Sequence, residues 1–252
     1  MKSIQSSKNP QVKQWKKLLT KKERDKTGTF LIEGFHLVEE ALKQHDFVLE
    51  LIVSETVELP PRLDYGTASI TFVTEEISKQ LSDTEAPQGI YAVCRQMEQA
   101  SSLQDARSLL LLDAVQDPGN LGTIIRTADA AGMEAVVVGK GSVDLYNPKV
   151  LRSAQGSHFH LPIISGDLTE WIPRLKEKKI PVYGTALEKA TVYTEIKPVS
   201  QFALIVGNEG NGVSEEILSQ TDANLYIPIY GKSESLNVAV AAGILLYYLK
   251  HH

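Results

Sequence analysis

Three short stretches of the chain carry residues whose types could do chemistry together. The first is Asp117-Pro-Gly-Asn120-Leu-Gly-Thr-Ile-Ile-Arg126, in which an amide and a guanidinium follow one another closely. The second is Gly207-Asn-Glu209-Gly210-Asn-Gly212, a carboxylate set among three glycines. The third is Ser235-Leu236-Asn237, a hydroxyl and an amide leading into an apolar run. A guanidinium offers a planar fork of donors suited to a phosphate. Glycines permit positive φ and let a ligand approach bare backbone. The glycine spacing is not that of a dinucleotide fingerprint, which disfavours a nucleotide-binding oxidoreductase. No Gly-Lys-Ser/Thr follows to make a P-loop. Each stretch also has an ordinary explanation. Arg126 could pair with Asp113 or Asp129, loop glycines are common, and Ser235 or Asn237 could simply cap a helix.

Other candidates for chemistry are poorer. His158 and His160 fall at strand spacing, but a pair without a third ligand does not make a zinc site. Cys94, in Tyr-Ala-Val-Cys, reads as a buried small apolar group. Ser233, Glu234 and Ser235 lack a Gly-x-Ser-x-Gly elbow, so a serine hydrolase is disfavoured.

The elements around the three stretches explain how they could meet. Apolar runs at 109–112, 135–138, 160–164, 181–185, 202–206 and 225–229 read as strands. Helices are expected at 121–131, 148–155, 168–178, 214–219 and 237–249. Continuous Val/Ile/Leu strands interleaved with helices argue for a parallel sheet covered on both faces. In such sheets ligands sit beyond the carboxyl ends of the strands, where all three stretches lie. Asn120 and Asn237 each read as a helix cap. The helix after Asn237 is apolar on nearly every face, so burial on all sides, including against a second subunit, is expected. Upstream, strands at 29–32, 48–53, 70–73 and 90–94 with helices at 35–42 and 75–81 make a smaller α/β domain. The polar stretch 98–107 separates residues 1–97 from residues 108–252.

Composition bounds the rest. The chain has 252 residues, 42% hydrophobic and 23% charged, an ordinary globular balance. The longest apolar run, 238–249, is too short for a bilayer span of roughly 20 residues. The N-terminus lacks a signal core, so no membrane anchoring is expected. Cys94 is the sole cysteine, which excludes an internal disulfide and suits a reducing cytoplasm. The terminal His251-His252 is given no function. Net charge is −5, yet residues 1–28 hold nine basic side chains against two acidic ones. A basic arm on an acidic body suggests local docking on a polyanion. Asn9-Pro10 opens a helix there, with Val12, Trp15, Leu18 and Leu19 on one face and Lys13, Lys16, Lys17 and Lys21 mostly opposite.

Taken in order, Asn120-Leu-Gly-Thr-Ile-Ile-Arg126, Gly207-Asn-Glu209-Gly and Ile227-Pro228 … Ser235-Leu-Asn237-Val-Ala-Val-Ala-Ala resemble the three motifs of the SpoU (TrmH-type) branch of the SPOUT RNA methyltransferases. The front part, with Phe30-Leu-Ile-Glu-Gly-Phe and Ala86-Pro-Gln-Gly-Ile, is similar to the substrate-binding domain that precedes many of them. That domain resembles a small ribosomal RNA-binding protein. The resemblance implies a C-terminal α/β domain with a deep trefoil knot, which general topology rules would not suggest. It also implies a homodimer formed through the catalytic domain. The implied cofactor is S-adenosylmethionine, held mainly through backbone at Gly207, Ile227 and Leu236, with no metal. The implied active-site residues are Asn120, Arg126, Glu209, Ser235 and Asn237. The implied reaction is methyl transfer to a ribose 2′-hydroxyl of structured RNA, ribosomal by the likeness of the front domain. Transfer RNA and a non-catalytic RNA-binding or ribosome-assembly role are the alternatives. Arg126 is expected to bind the phosphate beside the target ribose. The hydroxyl proton would leave to that phosphate or to water, because a guanidinium stays protonated. Lys13, Lys16, Lys17 and Lys21, with Arg126, are the expected RNA contacts.

Overall fold

The computed structural model describes residues 2–44, 47–61, 63–97, 103 and 105–250. Much of the expected linker, residues 98–102 and 104, lies outside the described residues. Within its other end Leu103 and Ala106 are already buried in the second core, so the separating stretch is shorter than its polarity suggests.

The chain divides into two compact units, 1–98 with 144–159, and 99–143 with 160–252. The first contains β1 (Lys2–Ile4), α1 (Pro10–Lys17), α2 (Lys21–Thr27), β2 (Thr29–Glu33), α3 (Phe35–Leu42), β3 (Val48–Ser54), β4 (Ser69–Val73), α4 (Glu75–Leu81) and β5 (Ile90–Arg95). Its strands form one mixed sheet in the order β1-β4-β3-β5-β2. Strand alternation sends Phe30, Ile32, Leu51 and Val53 to one core, where α3 supplies Leu37, Val38 and Ala41. Leu31, Ile52 and Val73 face the other core, against Val12 and Trp15 of α1 and Ile77 and Leu81 of α4.

The basic N-terminus is therefore not a detached arm. Val12, Trp15 and Leu18 are buried, and β1 pairs in parallel with β4. Asn9 caps α1 by accepting from Gln11 N, with Pro10 in the first turn. Glu50 on β3 then fastens α1 to the sheet. Its carboxylate accepts from Gln11 Nε2 at 2.8 Å, Trp15 Nε1 at 3.0 Å and Thr71 Oγ1 at 2.7 Å. Gly28, with φ 62°, ends α2 in the left-handed conformation that glycine tolerates best.

The second unit contains β6 (Ser108–Leu112), α5 (Pro118–Ala130) and β7 (Ala135–Val138). Next in the chain is α6 (Pro148–Ala154), which belongs to the first unit. The second unit resumes with β8 (Ile163–Ser165), α7 (Leu168–Glu177), β9 (Val182–Thr185), β10 (Thr191–Val192), β11 (Phe202–Val206), α8 (Glu215–Leu218), β12 (Ala223–Tyr226) and α9 (Val238–Leu249). Its sheet runs β10-β12-β9-β11-β6-β7-β8, and every pairing is parallel. Leu109, Leu111 and Ile205 face α7 and α8, which contribute Ile172, Leu175 and Ile217. On the other face α5 and α9 pack against each other, with α9 also touching β11. Among the described residues no helix is long and apolar enough to cross a membrane.

Four expectations change. A single boundary near residue 100 is too simple, because 144–159 joins the first unit. Tyr146, Leu151 and Phe159 pack on that unit's core, and Asp144 pairs with the buried Arg24 guanidinium. His158 is not on a strand but in a one-turn helix at Ser157–Phe159. The adjacent strand waits until Ile163, past Pro162, which cannot donate to a ladder. Proline also explains why β12 stops at Tyr226, ahead of Ile227-Pro228, and so lies earlier than expected.

Candidate functional site

Strands β6 and β11 are neighbours, yet β6 leads into α5 on one face and β11 into α8 on the other. That divergence opens a crevice at their carboxyl ends, the usual ligand position in such sheets. Here it becomes a cavity of about 970 Å³ lined by Asn120, Gly207–Val213, Ile227, Ile229 and Ser235–Val238. The loop after β9, Thr185–Lys189, forms another part of its wall.

The glycine loop owes its path to a close approach. A Cβ on Gly207 would sit 2.1 Å from the Gly212 carbonyl carbon and 2.2 Å from Val213 N, so only glycine fits. Asn208 and Gly212 exchange two backbone hydrogen bonds of 2.9 Å, closing the loop on itself. The Asn208 side chain accepts from Gly210 N and Asn211 N and donates to the Ala114 carbonyl. Asp113 accepts from Ser214 N at 2.8 Å. The first two loops are thus stitched together by short polar side chains.

Glu209 extends this stitching into a chain of bonds. Its carboxylate accepts from Gln116 N at 3.0 Å, Asp117 N at 2.9 Å and Asn120 Nδ2 at 3.1 Å. Asn120 Oδ1 in turn accepts from Asn237 Nδ2 at 2.9 Å. Asn237 Oδ1 accepts from Ala239 N and Val240 N, capping α9. Partial burial raises the Glu209 pKa, but the bonds from Gln116, Asp117 and Asn120 outweigh it and hold the carboxyl below its ordinary value. The carboxylate is therefore an ionised clamp, and its position at one end fixes which way each amide points.

Asn237 acts as a cap, as expected, while also joining Asn120. Asn120 itself is not the cap of α5; Asp117 is, accepting from Asn120 N at 2.8 Å. Proline at 118 places the helix start three residues earlier than the apolar periodicity does. The Ser235 hydroxyl is exposed at the cavity wall and donates no hydrogen bond among the described residues.

Asn120, Glu209, Ser235 and Asn237 therefore come together, as do Gly207, Ile227 and Leu236. Arg126 does not join them. It lies one and two-thirds helical turns beyond Asn120 on α5, exposed, and outside the cavity lining. It has not taken the ordinary partners either. Asp129 bonds His160 Nδ1 at 3.2 Å, and Asp113 is engaged with Ser214. Helix α9 is likewise open on one side, with Val240 and Tyr247 exposed. The loop clamps Asp113, Asp117 and Asn208, and the wall at Thr185–Lys189, were missed from sequence. Asp117 had a local signal, a capping side chain before Pro118 as at Asn9-Pro10, whereas Asp113, Asn208 and 185–189 were marked only by following a strand.

Elsewhere, Lys13, Lys16, Lys17 and Lys21 are all exposed, and of these Lys16 donates to Gln80 Oε1 at 3.2 Å. Cys94 is buried in the first core and its thiol pKa is raised by that burial. Buried His158 bonds the Leu145 carbonyl through Nε2, and burial depresses its pKa to about 4. Among the described residues no three His, Cys, Asp or Glu side chains are grouped to hold a metal.

Comparison with known proteins agrees with this geometry. The SpoU rRNA Methylase family matches residues 107–247, the span that holds all three loops. The chain belongs to the SpoU rRNA methylase family. An MRM3-like substrate-binding domain matches residues 9–92 of this SpoU-family chain. The 23S rRNA (guanosine(2553)-2′-O)-methyltransferase RlmP of Bacillus subtilis is 55% identical over 250 residues, covering 99% of this chain and 100% of that protein. The AdoMet-bound rRNA methyltransferase of Sinorhizobium meliloti superposes with a TM-score of 0.89 at 31% identity, covering 100% and 98% of the two chains. The SpoU methyltransferase AviRb of Streptomyces viridochromogenes, in complex with AdoMet, gives 0.87 at 27% identity over 96% and 97%.

Proposed function

We propose that this SpoU-family protein transfers a methyl group from S-adenosylmethionine to a ribose 2′-hydroxyl of ribosomal RNA. The observation that carries the reading is the bonded chain Glu209–Asn120–Asn237, which draws all three loops to one cavity. The guanosine named for the Bacillus relative, at 2553 of 23S rRNA, is the first nucleotide to test.

The chain's own groups suit the donor. Gly207 offers bare backbone where any Cβ would collide, and Ile227, Ile229 and Leu236 supply apolar wall beside polar loop groups. Gly207, Ile227 and Leu236 would hold the donor; when bound, its sulfonium supplies an already activated methyl group. The protein's task is then to align the hydroxyl and to accommodate its proton. The free Ser235 hydroxyl, with the second Nδ2 hydrogens of Asn120 and Asn237, can orient the ribose. Glu209 is not placed as a base, since its oxygens are filled by donors that favour ionisation. The proton leaves to a substrate phosphate or to water.

Arg126 enters this scheme through a second copy of the chain. Val240 and Tyr247 are 51% and 57% exposed, and they flank Gly243, which approaches Thr127 of α5, while the Tyr247 hydroxyl donates to the Ala130 carbonyl at 3.4 Å. A homodimer built on that face would cover both and bring Arg126 into the seam, where it can meet an RNA phosphate. Sedimentation velocity should show a dimer that Val240→Glu dissociates; a monomeric parent protein rejects the arrangement. The knot implied by the motif resemblance, and residence in the cytoplasm, belong to the same reading.

Labelled methyl donor with ribosomal RNA, followed by nuclease digestion and nucleoside analysis, tests the activity. A 2′-O-methylated nucleoside is expected. Label on a base, or none on RNA, overturns the proposal.

A further inference from the structure

Residues 230–237 are exposed throughout, and they join two parts of the cavity wall, Ile229 and Ser235. Tyr230 opens this loop. It is 96% exposed, the most exposed large hydrophobic side chain described, and it does not line the cavity. Its neighbour Ile229 faces inward, so the phenol ring stands at the rim, turned out to solvent. Gly231 beside it has open space where a Cβ would be, and Lys232 follows, exposed and without an ion pair among the described residues. Val240 and Tyr247 share a helix face with apolar neighbours, whereas Tyr230 stands apart on a polar loop. A ring left wholly in water forfeits the burial that makes aromatic residues stabilising. Its position therefore suits a partner with a flat apolar face, delivered to the cavity mouth together with negative charge.

We propose that Tyr230 is a substrate-positioning residue that stacks on an RNA base within one nucleotide of the methylated ribose. This inference rests on the RNA methyl-transfer reading above. A ribose is brought into a concave cavity mouth most readily from a loop or single strand, where bases can be splayed out, and an unstacked base gains by packing on an aromatic face. Such stacking tolerates any base, so Tyr230 secures the strand while other contacts choose the site. Lys232 supplies a cation for the adjoining phosphate.

The test uses the 252-residue protein and a 23S rRNA fragment that contains guanosine 2553, the nucleotide named for the Bacillus relative. Tyr230→Ala should lower kcat/KM for RNA roughly 10- to 100-fold, mainly through KM, with donor affinity unchanged. Tyr230→Phe should stay within about threefold of the parent, because it keeps the ring. Tyr230→Leu, equally apolar but without one, should behave like alanine. Three further RNAs are each made abasic at the target or at one neighbour. One of them should cost the parent enzyme the same factor and cost Tyr230→Ala nothing more. Independent losses at all three positions, or a normal KM in Tyr230→Ala, overturn the proposal. So does loss of the dimer in that variant, which would assign the ring to a protein interface. A parent enzyme inactive on ribosomal RNA defeats the methyl-transfer reading itself, and this inference with it.

Discussion

Replacing Glu209 by glutamine separates a clamp from a base. The carboxylate uses one oxygen for Asp117 N and Asn120 Nδ2 and the other for Gln116 N. Glutamine has one carbonyl oxygen. If that oxygen keeps the first pair, its amide hydrogens confront the Gln116 N–H, donor against donor. One bond is lost, and the remaining two lose their charge assistance. Each such change is worth about 1–3 kcal/mol when buried. Glu209 is exposed, so water can serve the abandoned donor, and a net cost of about 1–2 kcal/mol is appropriate. That corresponds to a 5- to 30-fold fall in the population of aligned loops. Glu209→Gln should therefore reduce kcat/KM by about that factor, with a similar weakening of donor binding by calorimetry. The pH profile should not change between pH 6 and 9. The sign follows from the lowered pKa: the clamp is complete above the ordinary carboxylate range and is lost only as pH falls through the depressed value. A general base would behave otherwise. Its loss would cost about 10²- to 10⁴-fold in kcat and abolish a limb of the pH profile while sparing donor binding. That outcome would refute the clamp.

Three further expectations follow from individual contacts. Gly207→Ala should weaken donor binding at least about tenfold, since its Cβ meets backbone atoms that cannot move without parting Asn208 from Gly212; normal affinity by calorimetry would show the loop is looser than described. His158 is buried and neutral with its pKa pushed down to about 4, so the unfolded chain takes up a proton first as pH falls below about 6.5. Denaturant unfolding should show the stability advantage over His158→Gln shrinking by up to about 3 kcal/mol between pH 7 and pH 4, and parallel curves would contradict it. Replacing Lys13, Lys16, Lys17 and Lys21 by alanine should reduce the salt slope of RNA binding by about 2–4 and leave donor binding intact; an unchanged slope removes these lysines from the RNA contact. Substitution is the right perturbation, because deleting residues 1–28 would remove β1 and the buried Val12, Trp15 and Leu18.

Local and periodic features were legible in the chain itself. Runs such as 135–138 and 202–206 became β7 and β11 with the same bounds, because a continuous apolar strand has few alternatives once covered on both faces. Asn9-Pro10 and Asn237 mark helix starts through bonds made within three residues, which sequence spacing records directly. Of the motif residues, Asn120, Gly207, Glu209, Ile227, Ser235, Leu236 and Asn237 line the cavity, and Arg126 does not.

What required the tertiary structure was every relation between distant segments. Asn237 bonding Asn120, and Glu209 bonding Gln116 and Asp117, depend on β6 and β11 being adjacent while their helices take opposite faces. No local pattern encodes that adjacency. The same applies to residues 144–159, whose apolar positions suit either core and are assigned by the Arg24–Asp144 pair and the packing of Leu151 and Phe159. Arg126 shows the converse. The resemblance assigned it to the active site with Asn120, but within one chain six residues of helix rotate a side chain by about 120° away and lift it about 9 Å. Spacing along a chain names the residues of a site; only the packing of helices on a sheet decides which of them face it.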